Sequence, residues 1–291
     1  MKKNYLYAFI TVFIWATMAA VVKKMLFDIP SLQALAVSGV FAFAFLFLLN
    51  VKKGTIKKVK SYSSKDYAIM SGLGFLGLFL YTALYYYGLS QLTSQEACIL
   101  NYLWPMMLVV FSCIILKEKM TFLKAFAIVC SFIGIVILSW GSGSGLGEGA
   151  MFGIISCIVA AACYGLFSVL NKRTDYDQGF AMMINWLVVV IFATLVGVLT
   201  EDWVAIRGVQ WLGLLWVGVF TDGLAYLLWA LALKGADDTA KIANIAYLVP
   251  FLSLIISAIF LDEIITWQAG VAVVFIIGGI LLQSICEHKQ T

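Results

Sequence analysis

Apolar residues in this chain come in unbroken runs of about twenty, each closed by a short polar interval. Ten such runs can be counted: 5–26, 32–50, 67–89, 94–116, 122–140, 149–170, 179–200, 209–233, 239–261 and 266–286. A helix needs roughly 20 apolar residues to cross about 30 Å of hydrocarbon. In lipid only helices and closed barrels satisfy their own backbone, and runs of this length without period-two alternation are helices. The pattern therefore predicts an all-α integral membrane protein with ten transmembrane helices. The longest polar interval is VKKGTIKKVKSYSSKD, residues 51–66, which is too short to build a separate domain.

Composition agrees with this picture. The 291 residues are 63% hydrophobic and 12% charged, against roughly 45–50% and about 25% in soluble domains. The first run follows Lys2 and Lys3 and contains the small-residue patch ATMAA, features shared with signal peptides. Its apolar stretch continues to Leu26, and the repeat described below needs it as a partner for the sixth run, so it is expected to remain in the mature protein.

Charge sets the expected orientation. With a cytoplasmic N-terminus, sixteen of the nineteen basic residues fall inside, and only Lys23, Lys24 and Arg207 fall outside. The positive-inside rule then puts both termini in the cytoplasm, with the plasma (inner) membrane of a prokaryote as the expected location.

The chain also repeats itself. Residues 101–105 read NYLWP and residues 246–250 read AYLVP. The same offset of 145 superimposes Tyr81 on Tyr226, Glu118 on Glu263 and Gly134 on Gly279, and an offset of 149 places Trp15 on Tyr164 and Lys23 on Lys172. Residues 1–141 and 149–288 thus read as two copies of a five-helix unit. An odd number of crossings turns one copy upside down relative to the other. Inverted repeats of this kind serve alternating access to a site between the copies.

The duplicated pattern, proline, twelve residues, glutamate and a glycine sixteen residues beyond, resembles the EamA family of the drug/metabolite transporter superfamily. It stands here as Pro105, Glu118, Gly134 and as Pro250, Glu263, Gly279. NYLWP is similar to the equivalent stretch of the aromatic amino acid exporter branch; AYLVP lacks its Asn and Trp. The resemblance implies export of small metabolites through a central pathway lined by runs such as one, three, four, six, eight and nine.

Several residues could carry that chemistry. Asp222 lies near the middle of the eighth run, with no lysine or arginine within ten positions. A charge there costs about 3 kcal/mol on insertion scales, so it should face the interior as a proton-coupling group, a counter-charge for a substrate cation, or a neutral structural hydrogen-bonder. Pro105 and Pro250 predict kinks halfway along runs four and nine, each freeing the carbonyl four residues before it. Asn101 and Trp104 flank the first kink and offer an amide and an aromatic wall. Trp15, Tyr81 and Tyr226 could complete an aromatic cage for a ring or a cation. Lys23 and Lys172 read as side chains snorkelling to the interface. Lys241 opposes the positive end of its helix where its twin Glu96 complements it, which marks Lys241 as a candidate gate or substrate contact.

Other classes drop out. The six cysteines show no C-x-x-C or zinc spacing and the single histidine, His288, lies in the polar tail, so neither a metal site nor a histidine-based enzyme is expected. No Walker loop or nucleotide-binding pattern is present, so no cofactor and no nucleic-acid partner are expected. The expected partners are a small-molecule substrate, the lipid bilayer and, as a second candidate ligand, protons. The expected function is secondary transport exporting a small metabolite, an amino acid first, with drug or quaternary-cation efflux as the alternative.

Overall fold

The computed structural model describes residues 2–26, 28–115, 117, 148–172, 174–234, 245, 248–262 and 264–275, with isolated positions 122, 126, 129, 130, 133, 137 and 278. Most of the fifth run, the later part of the tenth, and Glu118, Gly134, Lys241, Glu263 and Gly279 lie outside the described residues.

Within them the elements are helical. They are α1 (Lys2–Leu26), α2 (Ser31–Lys53), a 3-10 turn (Thr55–Lys60), α3 (Ser64–Gln91), α4 (Ser94–Asn101), α5 (Trp104–Ile115), α6 (Glu148–Lys172) and α7 (Gln178–Thr200). Helix α8 joins Val209–Leu215, Trp216–Ala225 and Tyr226–Lys234, and α9 spans Leu248–Leu261. Six helices (α1, α2, α3, α6, α7 and α8) are long and apolar enough to cross a membrane. Their outer surfaces expose large apolar side chains: Leu199 is 77% exposed and Leu48 66%. Apolar exposure on that scale around a bundle belongs against lipid.

Polar residues close the helix ends. Ser63 and Asp66 form a capping box at α3, Thr93 and Glu96 another at α4, and Asp177 accepts from the Phe180 N–H at α7. Each satisfies donors that a helix start leaves open. Helix α2 ends at Gly54, whose φ of 71° needs the left-handed freedom of glycine. Lys117 and Asp262, an offset of 145 apart, share that left-handed backbone at 57° and 55° just beyond α5 and α9.

The fourth run is two helices, not one kinked helix. Helix α4 stops at Asn101, Tyr102 and Leu103 form a turn, and Pro105 is the second residue of α5. Pro250 is likewise the third residue of α9. Proline disfavours helical backbone in the residue before it and tolerates the first turn of a helix, where its missing N–H bonds to nothing. So Pro105 starts a helix after a break rather than bending one midway.

Helices α3 and α8 each contain a π-helical stretch, Phe75–Leu80 and Trp216–Ala225, whose C-terminal ends are 145 positions apart. The packing pairs off in the same way. Helix α1 lies on α9 and on the last part of α8, and α6 lies on α5 and the last part of α3; α2 meets the π-turn of α8 as α7 meets that of α3. The central contact is α2 against α7. At one end the Glu201 carboxylate, just past α7, accepts from the Leu32 and Gln33 N–H groups at the start of α2, at 2.9–3.1 Å. At the other, Asn50 near the end of α2 donates to the Gly179 carbonyl in the first turn of α7 at 3.1 Å. The two helices therefore run antiparallel.

Two outcomes follow. Glu201→Ala leaves the α2 N-terminus uncapped and should lower stability by about 1 kcal/mol, read as a lower unfolding midpoint in detergent. At the opposite end Lys58 meets Asp177 at 2.8 Å. Burial works against the Asp177 charge, but the Lys58 ammonium and the Phe180 N–H outweigh it and hold the carboxyl below its ordinary range. A carboxyl lowered in the folded state adds stability above the unfolded value and loses it as pH falls through the folded one. Asp177→Asn should therefore flatten the acid limb of the stability–pH curve.

Candidate substrate site

Between the helices lies a cavity of about 40 Å³. One water needs roughly 10–15 Å³ by this measure, so the space holds about three waters and is far too small for a metabolite.

Its wall brings together five of the residues singled out from the sequence: Trp15, Tyr81, Asn101, Trp104 and Tyr226. Trp15 of α1 meets Tyr226 of α8 edge-on, with centroids 5.4 Å apart. On the facing side Tyr164 of α6 packs on Tyr81 of α3 at 4.9 Å and edge-on to Trp104 at 5.0 Å. These are twin contacts, since Trp15 corresponds to Tyr164 and Tyr81 to Tyr226. Tyr164 and Tyr226 also interact with each other through their hydroxyls, which ties the two sides together.

The polar chemistry of the wall is neutral. Asn101, at the last position of α4, donates from Nδ2 to the Tyr81 hydroxyl at 2.9 Å, and its Oδ1 has no partner among the described residues. The break at Tyr102–Leu103 brings the C-terminal end of α4 and the N-terminal end of α5 to the same cavity, so opposite ends of two helix dipoles lie side by side.

Asp222 is placed differently. It is 1% exposed, near the C-terminal end of the π-helical stretch of α8, and does not line the cavity. It stands behind the wall, within electrostatic reach of Tyr81, Tyr86 and Tyr226. Its twin Gly77 packs so closely on Phe167 that a Cβ would lie 2.1 Å from the ring.

Lys23 does not snorkel. Its ammonium turns inward to the Leu89 carbonyl at 2.8 Å and the Leu92 carbonyl, at the C-terminal end of α3. Orphan carbonyls and a negative helix end attract the cation more strongly than the interface does. Glu96 serves the α4 capping box, and Lys241 lies outside the described residues.

Tyr85 and Tyr164, two further aromatics of the expected ring cluster, also line the wall, together with Met18, Cys98, Tyr102 and Val249, which the sequence reading does not single out as site residues. Signals for some were present. Met18 follows Trp15 by one helical turn, Tyr85 follows Tyr81 by four residues and stacks on it, and Val249 is the twin of Trp104. Nothing in its neighbourhood distinguishes Cys98 from the other apolar-run cysteines.

The family model of the EamA-like transporter family matches residues 2–140 and again 151–285. The chain belongs to the EamA-like transporter family. Among its relatives are two uncharacterized transporters of Bacillus subtilis (strain 168). YoaV is 25% identical, over 95% of this chain and 95% of its own, and YvbV is 26% identical, over 84% and 80%. The aromatic amino acid exporter YddG of Ancylobacter novellus is 24% identical, over 75% of this chain and 76% of its own. A solved crystal structure that is 20% identical superimposes with a TM-score of 0.74 over 100% of this chain and 99% of that one, so the fold is shared. As an EamA-like transporter the chain is a multi-pass membrane protein that takes a small-molecule substrate, and it is not an enzyme.

Removing the Tyr81 hydroxyl tests its hydrogen bond with Asn101. Tyr81→Phe leaves the Asn101 amide without that partner and should destabilise the protein by about 1–3 kcal/mol. Thermal unfolding in detergent measures it. A double variant with Asn101→Leu should recover part of the loss.

Proposed function

We propose that this chain is a secondary transporter that exports an amino acid, an aromatic one first, by alternating access between two inverted five-helix copies. The observation that carries the reading is the pairing of the cavity wall. Three twin pairs line it, Trp15 with Tyr164, Tyr81 with Tyr226 and Trp104 with Val249. A site built from equivalent positions of two copies is reached equally when the copies exchange poses. The antiparallel run of α2 against α7, themselves corresponding helices, supports the inversion.

The wall favours an amino acid over a simple cation. A zwitterion presents an ammonium and a carboxylate a few ångströms apart. The broken fourth run offers the matching pair: the C-terminal end of α4 with the free Asn101 Oδ1 for the ammonium, and the positive start of α5 for the carboxylate. The surrounding rings suit an aromatic side chain, with edge and stacked pairs contributing about 0.5–1.5 kcal/mol each beyond burial. YddG, named for that substrate class, is a relative. A quaternary cation would call for a negative wall, and the Asp222 carboxylate stands behind the tyrosines instead.

The six lysines between Lys52 and Lys65 lie at the same end of the bundle as Asp177, opposite Lys23 and Arg207. By the positive-inside rule the lysine-rich end belongs in the cytoplasm of a prokaryotic inner membrane.

Counterflow in proteoliposomes tests the reading. Vesicles loaded with unlabelled L-tryptophan should accumulate labelled L-tryptophan, and a loaded quaternary ammonium ion should not drive the exchange. Trp104→Ala should weaken tryptophan exchange about tenfold, as expected for loss of a ring contact with its buried area. Exchange of quaternary cations but not of tryptophan would overturn the proposal in favour of drug efflux.

A further inference from the structure

Six buried polar atoms have no hydrogen-bond partner among the described residues, and three of them, Tyr86 Oη, Thr221 Oγ1 and Asp222 Oδ2, belong to one neighbourhood at mid-span. Buried polar groups are satisfied in the great majority of cases, so an orphaned cluster of this kind calls for a reason. Asp222 is the ionisable member. It stands about halfway along α8, and no charged side chain among the described residues acts on it. The groups within its electrostatic reach are neutral: the hydroxyls of Tyr81 and Tyr86 from α3 and of Tyr226 on its own helix. The lysines of α1 and α2 sit at the helix ends, at Lys23 and Lys24 and at Lys52 and Lys53. A carboxylate anion at this depth, without a cation, is among the costliest states a membrane helix can hold.

The backbone around it is built to change. The π-helical stretch widens the turn and leaves carbonyls out of the α-pattern, and π-turns mark functional positions in many helices. Thr11 of α1 donates to the Ala225 carbonyl at 3.2 Å, and Trp216 donates from Nε1 to the Thr17 hydroxyl at 3.0 Å. These two bonds hold α1 against both ends of the stretch that carries Asp222. Tyr226 follows Asp222 by four residues and lies on the cavity wall, pressed against Trp15 of the same α1. A change at the carboxyl therefore reaches the substrate cavity through one helical turn and one ring contact.

We propose that Asp222 is a proton-binding site that couples a proton gradient to transport. The proposal rests on the transporter reading above and deepens it. In this conformation, with the site empty, buried Asp222 is held as the neutral acid. When the cavity opens and water reaches it, the carboxyl O–H breaks and the proton passes to water on that side. The carboxylate is then the group that resists closing. The empty carrier takes a proton from the water before its helices shut again, whereas the loaded carrier shuts with the ammonium of the substrate in that proton's place, so proton and substrate cross in opposite directions. Its twin is Gly77, filled by the Phe167 ring, so the pair of π-turns carries one carboxyl and each cycle moves one proton at this site.

Two measurements test it. The first needs no substrate: infrared titration of the purified protein should show the carbonyl band of a protonated carboxylic acid that disappears at high pH, is lost in Asp222→Asn and returns in Asp222→Glu. The second uses proteoliposomes with L-tryptophan and an imposed pH gradient. Wild-type vesicles should accumulate tryptophan, and Asp222→Asn should cut that accumulation about tenfold, the size of an ordinary coupling between two sites, while still exchanging labelled for unlabelled tryptophan. An infrared titration identical in wild type and Asp222→Asn, or undiminished pH-driven accumulation by Asp222→Asn, overturns the proposal. Wild-type vesicles that exchange no tryptophan overturn the amino-acid reading alone, and the infrared titration still decides the proton site.

Discussion

A chain inside a bilayer has no solvent to finish its hydrogen bonds, and each departure from the α-helix must be repaired by the protein itself. The described helices depart from it in the membrane at three places: the break at Tyr102–Leu103, the π-turn of α3 and the π-turn of α8. The break lines the cavity, and each π-turn ends one residue before a tyrosine of its wall, Tyr81 and Tyr226. At the break, the Tyr102 and Leu103 N–H groups reach back to Cys98, Ile99 and Leu100, and the Met106 and Met107 N–H groups share the Leu103 carbonyl. At the α8 π-turn, Thr11 of α1 donates to the Ala225 carbonyl. Irregular backbone is thus concentrated where helices can repair it and where a substrate would need polar groups, and the lipid-facing surface remains regular.

The same constraint explains which symmetry survives and which does not. Contacts that hold the bundle, α1 with α9 and α5 with α6, repeat between the copies, as do the left-handed residues Lys117 and Asp262. The positions that differ are those with chemistry: Asn101 against Ala246, Trp104 against Val249, Gly77 against Asp222. A scaffold that must occupy two exchanged poses needs equal packing in both. A substrate and a proton are single, asymmetric ligands and need only one set of groups. Gly77 shows the division most plainly, because the space a carboxylate would fill is taken by the Phe167 ring.

Much of this was legible in the sequence for a simple reason: lipid imposes one solution on the backbone, so run length alone predicts a helix. Six runs are seen whole, and five candidate site residues meet at one cavity because helical periodicity fixes which residues share a face. What periodicity does not give is depth. Asp222 and Tyr226 share a face of α8, yet the ring reaches the cavity while the shorter carboxyl remains behind it. The π-turns were invisible because tertiary packing, not side-chain type, selects them. The position of the break was missed because proline marks both a kink and a helix start, and only the neighbouring turn at Tyr102–Leu103 separates the two. Lys23 was read as a snorkelling side chain because a lysine near a helix end ordinarily reaches water; the unsatisfied end of α3 beside it is a feature of the fold.

The small size of the cavity also constrains how the site can admit a substrate. With room for about three waters, it must gain several times its volume before an aromatic amino acid enters, and side-chain rotation alone does not supply that when the wall is made of rings already in contact. Helices have to separate. The rings on the two faces belong to different helix groups, Trp15 and Tyr226 on α1 and α8, Tyr81 and Tyr164 on α3 and α6, and the hydroxyls of Tyr164 and Tyr226 bridge them. Parting these groups exposes the Tyr226 ring and the turn that follows Asp222 in a single movement. Opening the substrate site and wetting the carboxyl are then one event, since the same helix carries both.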